Sequence, residues 1–185
     1  MARLAHPFEA IAADVDESPE TAETARTLAP RLANAKAAAL EHLADAGCIV
    51  VGADQAASSA SMPVIGKPGS VDANRQQLHA LSGRTVTFYT AATVIGGARR
   101  EPTTVVDQTV VRFRRLGAEE IDRYLMLEPS ADCAGGCKVE GLGITLLDRV
   151  ESHDPTALVG LPLIRLTHAL RDHGLRLPAM SASNA

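Results

Sequence analysis

The chain has no tryptophan, and only two tyrosines and three phenylalanines stand among its 185 residues. Its core must therefore be aliphatic, and there are too few rings to stack successive bases of a single-stranded nucleic acid. Excess positive charge is missing as well: the formal net charge is −4, which argues against the basic face that nucleic-acid binding needs. No apolar run approaches the ~20 residues of a bilayer-spanning helix, and the first residues carry no signal-peptide pattern. No membrane association is expected, and the cytoplasm is the expected location. Cysteine is scarce and odd in number, at three, so there is no disulfide framework. Cys133 and Cys137 are spaced like zinc ligands, but no second pair or histidine cluster completes a set of four. Cys48 reads as a small apolar filler. Lysine is the last scarcity: of 18 basic residues only Lys36, Lys67 and Lys138 are lysine. A chain that uses arginine so freely has three compact, rotatable ammonium groups, a type suited to phosphate oxygens.

What is present suits one globular domain. Hydrophobic residues make up 46% and charged ones 22%, with enough length to bury a core. The most informative stretch is Cys48-Ile49-Val50-Val51-Gly52-Ala53-Asp54-Gln55. An apolar run ending in glycine reads as a strand buried on both faces. Ligands of open α/β sheets bind beyond the carboxyl ends of such strands. Asp54 is thus a candidate catalytic or metal-binding carboxylate, and Gly66-Lys67-Pro68 supplies a turn and a cation within reach. An anionic substrate is the expectation.

Along the chain, residues 7–13 alternate weakly, as a strand would. Ser18-Pro19 has the form of a helix start, and the Ala-, Leu-, Glu- and Arg-rich stretch to about Ala46 reads as helical. Pro30 implies a kink or a late start near Thr27. Residues 56–65 predict a hairpin or loop, and 71–81 a helix. Residues 85–95 and 103–114 predict paired strands across Gly96-Gly97. A short helix is expected over 118–127, a glycine-rich loop over 133–143, a strand over 144–150 and a closing helix over 159–173. The class is α/β, with at least one antiparallel pair.

Several segments, in order, resemble the Maf family of nucleotide pyrophosphatases. They are Asp14-Val15-Asp16-Glu17, Arg31-Leu32-Ala33 with Lys36-Ala37, Val51-Gly52-Ala53-Asp54-Gln55 and Gly66-Lys67-Pro68. They continue with Leu81-Ser82-Gly83-Arg84-Thr85, Tyr89-Thr90, Ala134-Gly135, Lys138-Val139-Glu140-Gly141-Leu142-Gly143 and Gly160-Leu161-Pro162-Leu163. The resemblance implies a single mixed-sheet α/β domain over 1–175, with two lobes flanking a nucleotide cleft, and a disordered tail over 176–185. It implies hydrolysis of a nucleoside triphosphate to a monophosphate and pyrophosphate, assisted by a divalent cation (magnesium or manganese), often in a homodimer. Family members open with a strand and a Ser-x-Ser-Pro-x-Arg-like phosphate loop. The chain starts where the following helix would end, so a domain lacking its first strand and that loop is expected.

Roles carry over by position. The resemblance makes Asp54 the expected proton acceptor for the attacking water, or a ligand of the metal that activates it. Asp16 is the second metal candidate, with Glu17 as its substitute. The resemblance makes Lys36, Lys67 and Lys138 the expected phosphate-binding residues, with support of the base pocket as the alternative for Lys138. Glu140 stands where relatives acting on dTTP and UTP carry glutamine. It resembles the 7-methyl-GTP branch, as does Gln55. A carboxylate accepts from the N1–H and N2–H₂ donors of guanine and attracts the charge that N7-methylation adds. A dTTP/UTP-type enzyme and a non-catalytic nucleotide-binding homologue without the phosphate loop are the alternatives. The glycines at 135, 141 and 143 are expected to serve backbone turns only.

Overall fold

The computed structural model describes residues 1–178. It contains one five-stranded sheet of order β2-β1-β3-β4-β5, built from β1 (Ile49–Ser59), β2 (Met62–Ile65), β3 (Thr85–Gly96), β4 (Thr103–Phe113) and β5 (Leu147–Ser152). The expected mixed α/β class holds, with every strand pairing antiparallel. Five α-helices accompany the strands: α1 (Ala25–Ala39), α2 (Glu41–Asp45), α3 (Val71–Leu81), α4 (Ala118–Leu127) and α5 (Leu163–Asp172). None of the helices described is long and apolar enough to cross a membrane. Of the expected tail, residues 179–185 lie outside the described residues, while Leu177 packs against the cluster around α5.

Strand alternation sorts the sheet into two faces. Val50, Ala56, Ala91 and Ile95 point to the face covered by α1 through Ala25, Leu28, Ala29, Leu32, Ala33 and Ala37. The opposite face is covered at its two ends by different groups. Leu78 and Leu81 of α3 and Ile121, Tyr124 and Leu125 of α4 pack there on Val86, Phe88, Val111 and Phe113. At the other end α5 packs Leu166, Ala169 and Leu170 on Ala92 and Val94. Between these two clusters runs a polar row in register, Gln55, Thr90 and Asp107.

Several expectations change. β1 does not stop at Gly52-Ala53; it runs on through Asp54 to Ser59, so Asp54 lies in mid-strand opposite Ala91 rather than beyond a carboxyl end. The Ala-, Gln- and Ser-rich second half has weak β propensity, and continuous pairing with β3 overrides it. β1 turns into β2 as a hairpin, but β2 pairs only with Ala57 and Ser59. Residues 7–13 form no strand. Phe8 and Ile11 are 54% and 46% exposed, so their alternation buries no face.

Helix α1 begins at Ala25, not at Ser18. Thr24 and Thr27 exchange the capping contacts, and Pro30 is carried inside the helix. The last strand begins at Leu147 rather than 144, because residues 142–146 wind into a 3-10 turn. The closing helix starts at Leu163. The Leu163 N–H donates to Thr156 Oγ1 at 2.9 Å and the Ile164 N–H to Asp154 Oδ2 at 2.6 Å, which satisfies its first turn from outside.

Candidate active site

Gly52 decides where the first charged group goes. A Cβ at this position would fall inside van der Waals contact of the Ala33 carbonyl oxygen and the Ala37 backbone nitrogen. With only hydrogen there, α1 lies backbone to backbone on β1. Lys36, next to Ala37, then reaches Asp54 two residues past Gly52: Nζ donates to Asp54 Oδ1 at 2.7 Å. The same ammonium lies 2.6 Å from Glu17 Oε1, and Lys67 Nζ lies 3.3 Å from Glu17 Oε2. Two lysines and two carboxylates thus form one chain of charge, Asp54–Lys36–Glu17–Lys67.

Burial grades that chain. The side chains of Asp54 and Lys36 are 11% and 19% exposed, whereas Glu17 and Lys67 open to solvent. Burial holds the Asp54 carboxyl above the usual aspartate range, even though the Lys36 ammonium beside it pulls the other way. Glu17, more exposed, is held below its usual range by the hydrogen bond from Lys36. Burial would lower Lys36, but its bonds to Asp54 and Glu17 outweigh that and keep it charged.

A cavity of about 300 Å³ opens beside this chain and reaches the glycine-rich segment. Asp54, Gln55, Lys67, Phe88, Cys133 and Glu140 are among its lining residues, with Val139, Leu158 and Val159 as apolar wall. Its lining thus joins Asp54 and Lys67 of the lysine–carboxylate chain with exposed Glu140, Asp132 and the Phe88 ring.

Asp54, Gln55, Lys67 and Glu140 thus share one cavity, and Lys36 adjoins it through Asp54. The other two expected site residues do not line it. Asp16 Oδ1 accepts from the Ser18 N–H at 2.9 Å, outside the charge chain. Lys138 donates to the Pro129 carbonyl at 2.7 Å and lies 3.3 Å from Asp132. Gln55 reaches the cavity with its amide nitrogen already engaged. That nitrogen donates to Thr90 Oγ1 at 2.8 Å and to the Ala157 and Leu158 carbonyls at 3.0 and 3.3 Å. It thereby fastens the 157–160 turn, a cavity wall, to the sheet. Gln55, Thr90 and Asp107 become a fixing row only once β1, β3 and β4 are in register, a relation that local sequence does not carry.

No group of three or more His, Cys, Asp or Glu is assembled for a metal among the described residues. Cys137 is buried and its thiol is pushed up to about 12, chiefly by burial. Cys133 is raised to about 11 for the same reason. Both are neutral thiols and serve as lining. The expected turn role holds for Gly135, at φ +76°. Gly141 and Gly143 have ordinary φ, so close approach is what requires them. A side chain on Gly141 would strike the Glu128 carboxylate, and one on Gly143 would meet Lys138 and Cys137.

A family model described as "Maf-like protein" matches residues 1–173. The 7-methyl-GTP pyrophosphatase of Bordetella avium (strain 197N) is 49% identical over 173 residues, covering 94% of this chain and 86% of that protein. The protein of the same name from Cupriavidus metallidurans is 47% identical over 174 residues, covering 94% and 86% of the two chains. Its namesake from Xanthomonas oryzae pv. oryzae (strain MAFF 311018) is 47% identical over 178 residues, covering 96% and 92%.

Proposed function

The chain belongs to the Maf family, and from that membership we propose that it hydrolyses 7-methyl-GTP to 7-methyl-GMP and pyrophosphate. The observation that carries this reading is the shared cavity: Asp54 and Lys67 line it together with Glu140. A nucleoside triphosphate brings matching groups, anionic phosphates for the lysine and hydrogen-bond donors on guanine for the Glu140 carboxylate.

In this reading water attacks the α-phosphorus, the bond to the α–β bridging oxygen breaks, and pyrophosphate leaves with that oxygen. Asp54 takes the proton of the attacking water. A carboxyl held above the usual range by burial is a stronger base than an exposed aspartate, and Lys36 still favours its ionised form. Lys36 and Lys67 neutralise the charge that moves toward the leaving pyrophosphate. When substrate phosphates arrive they compete with Glu17 for both ammonium groups, which frees the Glu17 carboxylate. Glu140 accepts from the guanine donors and favours the cationic methylated ring. Lys138, bound to Pro129 and Asp132, supports the base end in this scheme rather than the phosphates.

The donor set fits a divalent cation, magnesium or manganese. Glu17 and Asp54 offer hard carboxylate oxygens around one ammonium, and such ions commonly take one or two carboxylates and complete their shell with phosphate and water. Glu17 and Asp54 would hold it, Glu17 in the place first given to Asp16, and when bound it supplies Lewis-acid neutralisation of the phosphates. We further propose a cytoplasmic location and, from the family likeness, a homodimer; fractionation and sedimentation test them.

The test is pyrophosphate release by the 185-residue chain with magnesium or manganese, across 7-methyl-GTP, GTP, dTTP, UTP and CTP. Selective release from 7-methyl-GTP supports the reading. Preference for dTTP and UTP would replace its substrate, and nucleotide binding with no release from any of the five would overturn it in favour of a binding protein.

A further inference from the structure

Glu140 makes no hydrogen bond among the described residues, so its placement depends on the backbone that carries it. That backbone is the 138–143 turn, closed on itself where the Gly141 and Gly143 N–H groups donate to the Lys138 carbonyl at 3.2 and 2.9 Å. The turn is tied to the end of α4 by two further contacts. Tyr124 Oη accepts the Lys138 N–H at 3.0 Å, and Glu128 Oε2 accepts the Gly143 N–H at 3.1 Å. Tyr124 is only 4% exposed, and Glu128 is half-buried at the C-terminal cap of α4. The Glu128 carboxylate also lies so close to Gly141 that a Cβ there would push it aside. Glu128 therefore holds both sides of the turn that presents Glu140, by a hydrogen bond at Gly143 and by contact at Gly141.

We infer that Glu128 is a positioning residue for base selection, acting through the backbone of residues 141–143 on the carboxylate of Glu140. The inference rests on the reading of 7-methyl-GTP as substrate. Glu128 does not line the cavity, so it touches no base. It removes freedom from the turn in advance, so that binding need not supply that ordering. Gly141 is the complementary half of the device, since a Cβ there would displace the carboxylate from its place against the turn.

Amide hydrogen exchange and steady-state kinetics on the full chain test this together. Glu128→Ala should speed exchange across 138–146 while leaving β1 and β3 protected. It should also raise KM for 7-methyl-GTP about fivefold, the loss of one backbone-anchoring hydrogen bond, with kcat changed by less than about twofold. Glu128→Gln, which keeps an acceptor oxygen, should restore both. Glu128→Asp, one methylene short of Gly143, should behave like the alanine variant and serves if that variant does not fold. Gly141→Ala should raise KM similarly, and combined with Glu128→Ala it should add little, since both release the same contact. Unchanged exchange over 138–146 in Glu128→Ala and Glu128→Asp, or fully additive effects in the double variant, would overturn the inference. If the unmodified chain released no pyrophosphate from 7-methyl-GTP, the functional reading would fall separately, and the exchange data would still decide whether Glu128 holds the turn.

Discussion

Lys36 Nζ lies 2.7 Å from Asp54 Oδ1, and the hydrogen that serves as the side chain of Gly52 is what permits it. The two charges sit on different elements, α1 and β1, which pack with backbone against backbone at Gly52. Gly52→Ala should therefore do more than crowd the core. The clash is with backbone atoms of Ala33 and Ala37, which cannot rotate away, so α1 must lift from the sheet. The expected cost is roughly 2–3 kcal/mol, the upper part of the overpacking range. A melting curve together with turnover checks it: both should fall, and a variant as stable and active as the parent would show that α1 does not depend on that contact.

Asp54→Asn keeps the shape of the side chain and removes its basicity. Turnover should drop about a thousandfold, the scale of a lost general base. Nucleotide affinity, measured by calorimetry, should stay within about tenfold, since the lysines remain and one negative charge facing the phosphates is gone. Comparable loss of affinity and turnover would indicate that Asp54 acts through the ground-state complex instead.

The pH profile follows from burial of Asp54. Its carboxyl is raised above the usual range, and in the proposed role of base it would work ionised. Activity is therefore present above the folded-state pKa and lost as pH falls through it, so the acid limb of kcat/KM should lie above that of an exposed aspartate. Lys36 pulls the carboxyl down, so Lys36→Met should move the acid limb to higher pH as well as weaken phosphate binding. A limb that stays in place would show that the observed ionisation belongs to another group.

Acid should also loosen the segment that carries Glu17. Arg31 holds Glu23 at about 2, below the usual 4.5, through a bond from Nε to Oε1 at 2.8 Å and one from Nη2 to Oε2 at 2.9 Å. Arg31 also donates to the Ser18 carbonyl at 3.0 Å. A depressed carboxylate stabilises the fold fully above its unfolded pKa and loses that contribution as pH falls through the folded value. The anchor of residues 18–23 should thus hold at neutral pH and loosen between about 4.5 and 2. Limited proteolysis with an acid-tolerant protease should cut this segment earlier in Glu23→Gln than in the parent at pH 5, with the difference narrowing as pH falls toward 2.

The sequence made local features legible and left relations between distant segments hidden. Residues 71–81 and 118–127 were readable as helices because caps and periodicity are local, and residues 85–95 because β-branched and aromatic residues crowd together there. The second half of β1 was not, since its alanines, serines and glutamine become strand only against β3. The order of motifs carried the family and the shared cavity residues Asp54, Lys67 and Glu140. It did not carry the Glu17 bridge between two lysines, the latch at Gln55 or the support from Glu128, which arise from packing across 50, 102 and 15 residues respectively.

Glu140 carries the sharpest claim about substrate, and one isosteric change isolates it. Glutamine has nearly the same volume but replaces one acceptor oxygen with a donor, and it carries no charge. Facing guanine, the new N–H₂ would oppose the donors at N1 and N2, and the attraction for the ring methylated at N7 would disappear. Glu140→Gln should therefore lower selectivity for 7-methyl-GTP over UTP by about tenfold to a hundredfold, as expected for one bidentate base contact. The loss should come chiefly in KM, because the phosphate end is untouched. Competition kinetics with both nucleotides in one reaction measure the ratio directly. If Glu140→Gln keeps the parental ratio, the base must be read from the opposite wall, by Gln55 and the 157–160 turn it holds, and Glu140 would be a solvent-facing carboxylate at the rim.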